Sequence, residues 1–288
     1  MTIQEQLRQR FAELSPALQQ VARYLLEHPA EVVTTSMRHI GVQSGCTPAT
    51  LVRFAQHLGF AGWPQLKAAF VADLGLAGDA YGARAQQLIG RAAKGDLARE
   101  MFAVQRHNLE TTQAQSADRL APACAVIEQA PTVHAAGFRA SFPLAFAFVY
   151  QYRLFRPTVQ LLDGQGGMLE MQLRAMAKGD AVLVAAFAPY SREALQVAEA
   201  GRAAGCRIVA LTDSPASPLA LLAHESLVFS IASPSFFPSI AAGMALTEAL
   251  VELLASRAGK SVVKRIGEAE RQLLATGAYL EAPRPRAT

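Results

Sequence analysis

Residues that could bind a polyanion are concentrated in the first quarter of the chain. Between Glu31 and Asp73 there is no acidic residue, although the 288-residue chain contains 23 of them. The basic side chains inside this interval are Arg38, His39, Arg53, His57 and Lys67. A stretch of this kind is typical of a surface that meets nucleic-acid phosphates.

The spacing within this stretch predicts a helix-turn-helix. One helix should start after Thr35 or Ser36, and a second should start at Thr47-Pro48, with Gly45 in the turn between them. Helical periodicity sends Leu51, Phe54 and Leu58 toward a core and leaves Thr50, Arg53 and His57 on the opposite face. That face could contact DNA bases, or the segment could be a helical bundle used for dimerisation.

A second set of polar residues follows the predicted strands of the C-terminal half. The first strand ends at Gly137-Phe138-Arg139-Ala140-Ser141, and the third is followed by Tyr190-Ser191-Arg192-Glu193. The fifth leads into a loop that contains Ser235 and Ser239. In a parallel sheet, ligands bind beyond these carboxyl ends. Ser141, Ser191 and Ser239 also stand where helices begin, so helix capping and ligand contact are both open.

The elements that position these residues divide the chain into four segments. The sequence pattern predicts only helices over residues 1–76 and a helical linker over residues 77–120. In residues 121–260, predicted strands alternate with predicted helices. The strands are expected at 132–137, 158–162, 181–187, 207–212 and 226–231. This alternation predicts an α/β domain with a parallel sheet and helices on both faces. Residues 261–288 predict a C-terminal helix and a disordered tail.

Composition excludes several classes of protein. A hydrophobic content of 51% with 17% charged residues indicates a globular chain, and a net charge of +4 is too small by itself to predict DNA binding. Cys46, Cys124 and Cys206 lie too far apart for a cysteine zinc site. The first residues of the sequence are polar and charged, so they do not have the pattern of a signal peptide. No apolar run is long enough and free enough of charge to span a bilayer. We expect a cytoplasmic protein with no metal, no cofactor and no membrane partner.

Residues 14–67 resemble the N-terminal domain of the RpiR family of bacterial transcription regulators. The most specific part is Thr50-Leu51-Val52-Arg53-Phe54, followed by Leu58-Gly59-Phe60 and Lys67. The family joins a helix-turn-helix domain to a sugar-isomerase-type (SIS) domain. The resemblance implies groove contacts from Thr47, Thr50 and Arg53. It also implies phosphate contacts, from Ser36, Arg38, His57 and Lys67.

The C-terminal half is similar to the flavodoxin-like SIS fold, but it departs from the phosphate-binding pattern of that family. Gly137 and Ser141 match the family's first loop, while Arg139 replaces a glycine there. In the second loop, Ala186 and Ala188 replace serines, and Pro189 replaces a glycine. Of that loop only Ser191 remains, so a hydroxyl-based phosphate site is largely missing.

This departure has two interpretations. Arg139 could bind the anion by charge, in a pocket with Tyr190 and the Phe236-Phe237 pair, or the domain could serve only for oligomerisation. A sugar-phosphate isomerase is a third hypothesis, with Glu193 and His224-Glu225 as acid–base candidates, but they make no convincing pair. The sequence therefore predicts a non-enzymatic regulator that binds an operator as a dimer or tetramer. Its effector would be a small anion, either a sugar phosphate or a sugar acid.

Overall fold

The computed structural model describes residues 3–73, 81–92 and 96–278. The linker glycines 75, 78 and 95 and the predicted C-terminal tail lie outside these residues. Six helices form the N-terminal unit: α1 (Ile3–Arg10), α2 (Pro16–Glu27), α3 (Pro29–Thr34), α4 (Met37–Gln43), α5 (Pro48–His57) and α6 (Trp63–Asp73). They pack around one apolar cluster, in which Leu25, Ile40, Leu51, Phe54 and Phe70 are fully buried.

Helices α4 and α5 form the predicted helix-turn-helix, and local signals determine both starts. The Ser36 side chain accepts the backbone N–H of His39, and Thr47 accepts that of Thr50, so each helix has an N-cap. Gly45 in the turn has φ of +66°, a conformation that L side chains rarely adopt. The Gln20 side chain donates a hydrogen bond to the Ser44 carbonyl and thereby ties the turn to α2.

We expect Gly45→Ala to destabilise the N-terminal unit by about 1 kcal/mol, because a Cβ raises the energy of left-handed backbone. The new Cβ would also lie 2.8 Å from Gln20 Nε2. Urea denaturation followed by the fluorescence of Trp63 measures the effect. Gly62→Ala is the control, since its Cβ would only touch Pro64 Cδ at 3.8 Å. Equal stability of the two variants would contradict the prediction.

The C-terminal half contains the predicted parallel sheet. Its five strands are β1 (Val133–Gly137), β2 (Val159–Leu162), β3 (Ala181–Ala185), β4 (Arg207–Thr212) and β5 (Glu225–Val228). They lie in the order β2-β1-β3-β4-β5, and all neighbours are parallel. The chain order reverses between β1 and β3. In such sheets the crevice for a ligand opens at this point, beyond the carboxyl ends of the two strands.

Helices cover both faces of the sheet, as the alternating pattern predicted. One face packs on α8 (Leu97–Gln129), α9 (Phe142–Tyr152) and α13 (Ala241–Arg257). The other packs on α10 (Leu169–Arg174), α11 (Arg192–Ala204) and α12 (Pro218–Leu222). Two large apolar clusters result, one on each side of the sheet. The predicted fold class, a helical helix-turn-helix unit followed by an α/β SIS-type sheet, is confirmed.

Helix α8 extends beyond the predicted linker, and it covers the edge strand β5. Ser116 Oγ donates to the Val228 carbonyl and accepts the Val228 N–H, both at 2.7 Å. Thr112 Oγ1 accepts the Ser230 N–H at 2.9 Å, and Asn108 donates to the Ala232 carbonyl at 2.8 Å. These buried side chains pair the free backbone groups of β5 and of the chain beyond it. The linker boundary expected at residue 120 thus falls inside a helix of the C-terminal domain.

Two further helices complete the described chain. Helix α7 (Tyr81–Ala92) lies in the predicted linker, and α14 (Lys260–Ala275) follows α13. The N-terminal unit contacts the C-terminal domain where α3 packs against α12. Among the described residues, no helix is both long and apolar enough to span a membrane.

Candidate DNA-binding surface and ligand cavity

Helix α5 has a buried face and an exposed face. Leu51 and Phe54 are fully buried, whereas Ala49, Arg53 and His57 are exposed. Among the residues that the structure describes, none forms an ion pair or hydrogen bond with the Arg53 side chain. A guanidinium on the exposed face of such a helix can take phosphate or a guanine edge as its partner.

Thr50 differs from the other residues predicted for this face. It is only 9% exposed, and its hydroxyl lies 2.9 Å from Thr47 Oγ1. Thr50 belongs to the first turn of α5, where the capping side chain of Thr47 covers it. Helical periodicity predicted an exposed Thr50, because periodicity takes no account of the contact with the capping residue Thr47.

The residues expected on phosphates occupy three different settings. Arg38 is exposed, and Ser36 is an exposed residue whose hydroxyl caps α4. Lys67 is half-buried, and its ammonium donates to the Thr35 carbonyl at 2.9 Å. Burial, and second the Arg192 guanidinium at the start of α11, lower the pKa of Lys67. Lys67 therefore has a backbone partner inside the N-terminal unit in this structure.

The turn after β1 brings backbone groups unusually close together. A Cβ on Gly137 would lie 2.4 Å from the Ser141 carbonyl oxygen, so a glycine is required there. Arg139 has φ of +54°, the left-handed conformation that favours glycine. The backbone thus keeps a glycine-type conformation at Arg139, where the SIS pattern has a glycine, and an arginine side chain projects from it.

A cavity of about 280 Å³ lies at the carboxyl ends of β1 and β3. Most of its wall is apolar or aromatic, and the polar side chains are Arg139, Ser141 and Ser191. The remaining lining residues are Tyr81, Phe138, Ala140, Ala186, Phe187, Pro189 and Phe237. A small number of polar groups in an apolar wall is typical of a small-molecule site.

Arg139 is paired across the mouth of the cavity with Glu193. Its guanidinium donates to Glu193 Oε1 at 3.0 Å, and the other oxygen, Oε2, is buried without a partner among the described residues. The Glu193 backbone N–H at the start of α11, and then Arg139, lower the pKa of this carboxyl group. The Arg139 side chain is 74% exposed, so the pair contributes little stability and can exchange partners.

Four residues predicted for ligand contact lie outside the cavity wall: Gly137, Tyr190, Ser235 and Ser239. The Tyr190 hydroxyl donates to Asp213 Oδ1 at 2.5 Å, and burial followed by the Asp213 charge raises its pKa. Ser239 Oγ accepts the Ala241 N–H at 3.3 Å, and Ser235 N–H donates to Ser233 Oγ at 3.1 Å. Ser191 lines the cavity while its hydroxyl also caps α11.

Family models match both halves of the chain. A helix-turn-helix domain model of the rpiR family matches residues 1–75, and a SIS domain model matches residues 126–253. The N-terminal domain belongs to the rpiR family of helix-turn-helix domains. The combination of the two domains supports a role in transcription regulation, as the sequence predicted.

Solved structures show the same fold as this chain. One is the sugar isomerase domain of an RpiR transcription factor from Sphaerobacter thermophilus, which is 22% identical and superimposes with a TM-score of 0.58. The match covers 62% of this chain and 99% of that chain. Vibrio vulnificus NanR in complex with ManNAc-6P is 19% identical, with a TM-score of 0.58, covering 96% and 99%. A putative sugar-phosphate isomerase from Listeria monocytogenes is 15% identical, with a TM-score of 0.51, covering 64% and 96%.

The acid–base candidates of the isomerase hypothesis lie at opposite ends of the SIS sheet. Glu193 stands beyond the carboxyl end of β3, whereas His224 precedes β5 at the amino end. His224 Nδ1 accepts the Ile208 N–H at 2.9 Å, which leaves this nitrogen no role in proton transfer. These two residues do not form a catalytic pair.

Tyr81 lines the cavity although no sequence pattern predicted it there. It lies in the linker, 56 positions before Gly137, and only the fold brings it to the sheet edge. Its one sequence signal is weak: Tyr81 is an aromatic residue in a stretch otherwise rich in glycine and alanine.

Proposed function

We propose that this chain is a DNA-binding transcription regulator whose SIS domain binds a small anionic metabolite, a sugar phosphate or a sugar acid. The observation that carries the proposal is Arg53, which lies on the capped second helix of a helix-turn-helix. Its side chain is exposed and has no partner among the described residues. The same chain has a ligand-sized cavity with a cationic residue at its mouth. The ligand regulates DNA binding if it changes the relative position of the two DNA-binding units in a dimer.

Helix-turn-helix proteins normally bind an operator tightly by placing two copies of the reading helix on it. Helix-turn-helix dimers bind half-sites about 34–36 Å apart, one DNA turn. An exposed aromatic row on α9 is our candidate surface for self-association. Phe146 and Tyr150 are 49% and 50% exposed, and their ring centroids lie 6.2 Å apart. Helix α13 is not such a surface, because it is mostly buried against α8 and α9.

The cavity favours an effector of modest negative charge. Ala186 and Pro189 line it where the SIS pattern has hydroxyl and glycine donors, so a phosphate group would find few N–H and O–H partners there. Arg139 supplies a positive charge, and Phe138, Phe187 and Phe237 supply surfaces on which the carbon face of a sugar could pack. This composition supports a sugar acid at least as well as a sugar phosphate.

A thermal-shift screen of the purified chain tests the effector proposal. Gluconate, glucuronate and ManNAc-6P are suitable probes, since the last is the ligand in the similar Vibrio structure. A ligand at 100 times its Kd stabilises the folded state by about 2.7 kcal/mol, which raises the melting midpoint by several degrees. If no sugar phosphate or sugar acid raises the midpoint, the SIS domain serves oligomerisation and the effector proposal is wrong.

We expect Glu193→Gln to tighten the binding of an anionic probe by about 2- to 5-fold, the range of an exposed ion pair. The wild-type carboxylate competes with the probe for Arg139, and the amide removes that competition. Isothermal titration with gluconate measures the change.

Glu199→Gln is the matched control for this prediction. Glu199 lies on the same helix, α11, but beyond the cavity wall. It removes the same charge without touching Arg139, so the probe affinity should stay near that of the wild type. Weaker gluconate binding by Glu193→Gln would show that the carboxylate holds the ligand rather than competing with it.

A further inference from the structure

Tyr81 brings the linker helix to the ligand cavity. It is the first residue of α7, and it lines the cavity together with residues of the SIS domain. Its ring lies against that of Phe237, with centroids 5.0 Å apart and planes tilted by 39°. A distance of this kind is that of an attractive aromatic pair.

Phe237 connects the contact to the interior of the SIS domain. It is partly buried and packs against the apolar cluster of α8, α9 and α13. Phe237 also lies in the loop between β5 and α13, which forms one wall of the cavity. Tyr81 is therefore held by a residue of the SIS domain and not only by its own helix.

The position of Tyr81 in the chain gives this contact a role in signalling. Tyr81 follows Asp73, the last residue of α6, by eight positions. A chain of eight residues can span at most about 29 Å. When Tyr81 is docked, Asp73 at the end of the DNA-binding unit must therefore lie within this distance of the cavity, and release of Tyr81 removes that restriction.

We propose that Tyr81 docks the linker helix over the cavity, so that the effector site is shared between the linker and the SIS domain. A ligand in the cavity contacts Tyr81 as well as Arg139, and it stabilises the docked linker. The ligand thereby restrains the DNA-binding unit through α7. The ligand part of this inference rests on the proposed function, whereas the docking itself does not.

Hydrogen exchange of residues 81–92 in the full-length chain tests the docking without any ligand. We expect Phe237→Ala to speed exchange in α7 by about 2- to 10-fold, the range that corresponds to loss of one aromatic pair. Tyr81→Ala should have the same effect. Alanine is the better helix former, so faster exchange cannot come from helix propensity. Tyr81→Phe keeps the ring and should behave like the wild type.

Phe102→Ala is the control, since Phe102 is 65% exposed on the neighbouring helix α8. Unchanged exchange of α7 in Phe237→Ala would overturn the docking, because 156 positions separate Phe237 from Tyr81 and only the tertiary contact joins them.

The ligand arm uses gluconate and ManNAc-6P as probes on the same variants. A bound probe should slow exchange of α7 in the wild type, and Tyr81→Ala should lose most of the probe-induced rise in melting midpoint. Equal rises in both proteins, with α7 exchange unaffected, would overturn the shared site while leaving the effector proposal intact. If no sugar phosphate or sugar acid binds the wild type, both the effector proposal and the shared site fail, and the exchange data still decide the docking.

Discussion

Replacement of Arg53 by alanine is expected to weaken operator binding by about 1–3 kcal/mol, the range for loss of a bidentate base contact. The side chain is exposed on the outer face of α5 and has no partner among the described residues, so its guanidinium is available to DNA. The fold should be unaffected, because the buried face of α5 is unchanged. Fluorescence anisotropy with a labelled operator and a random duplex, at fixed salt, measures the effect.

Two further variants serve as controls for the effect of Arg53→Ala on DNA binding. Arg174→Ala removes an exposed arginine from α10, outside the helix-turn-helix, and should leave operator affinity near the wild-type value. Arg38→Ala should weaken binding to operator and random DNA equally if Arg38 contacts phosphate. If Arg53→Ala also weakens both duplexes equally, Arg53 binds phosphate and does not read bases.

Replacement of Arg139 by alanine is expected to abolish the response to the effector while DNA affinity without effector stays unchanged. Arg139 is the positive charge at the cavity, and a hydrogen bond to a charged group contributes about 1.5–3 kcal/mol. Operator binding measured with and without the effector found in the thermal-shift screen is the test. A response equal to that of the wild type would remove Arg139 from the ligand site.

Arg139→Gly separates the charge from the backbone at this position. Both variants lose the guanidinium, so both should lose the effector response. Alanine keeps a Cβ at φ of +54°, whereas glycine adopts this conformation freely. We therefore expect the glycine variant to be about 1 kcal/mol more stable than the alanine variant in urea denaturation. Equal stabilities would show that the turn relaxes when Arg139 is replaced.

Much of the candidate site could be predicted from local sequence. Ser36 and Thr47 were expected at helix starts, and both cap helices, because a hydroxyl before the first turn pairs a backbone N–H without help from distant residues. Apolar strands between helices predicted the five-stranded parallel sheet, and Gly137 and Ser141 were expected at the end of its first strand. Gly137 is the last residue of β1, and Ser141 lies in the turn that follows it.

Other features depended on contacts between distant residues. Tyr190 was expected at the ligand, but its hydroxyl is bound to Asp213, which follows a different strand. Lys67 was expected to face DNA, but it donates to Thr35 and lies near Arg192. Thr112 and Ser116 read as an ordinary polar stretch of linker, yet they pair the backbone beside β5. Side-chain partners of this kind have no periodic signal.

The amino-acid sequence by itself determined the elements of this protein: the capped helix-turn-helix, the strand order along the chain, and the glycine-dependent turn after β1. These follow from propensities and patterns that act over a few residues. Only the tertiary structure decided which polar residues meet at the cavity, that α8 covers the sheet edge, and that Tyr81 of the linker reaches Phe237. Those outcomes require chain segments far apart in sequence to pack together, and packing depends on shape that no local pattern encodes.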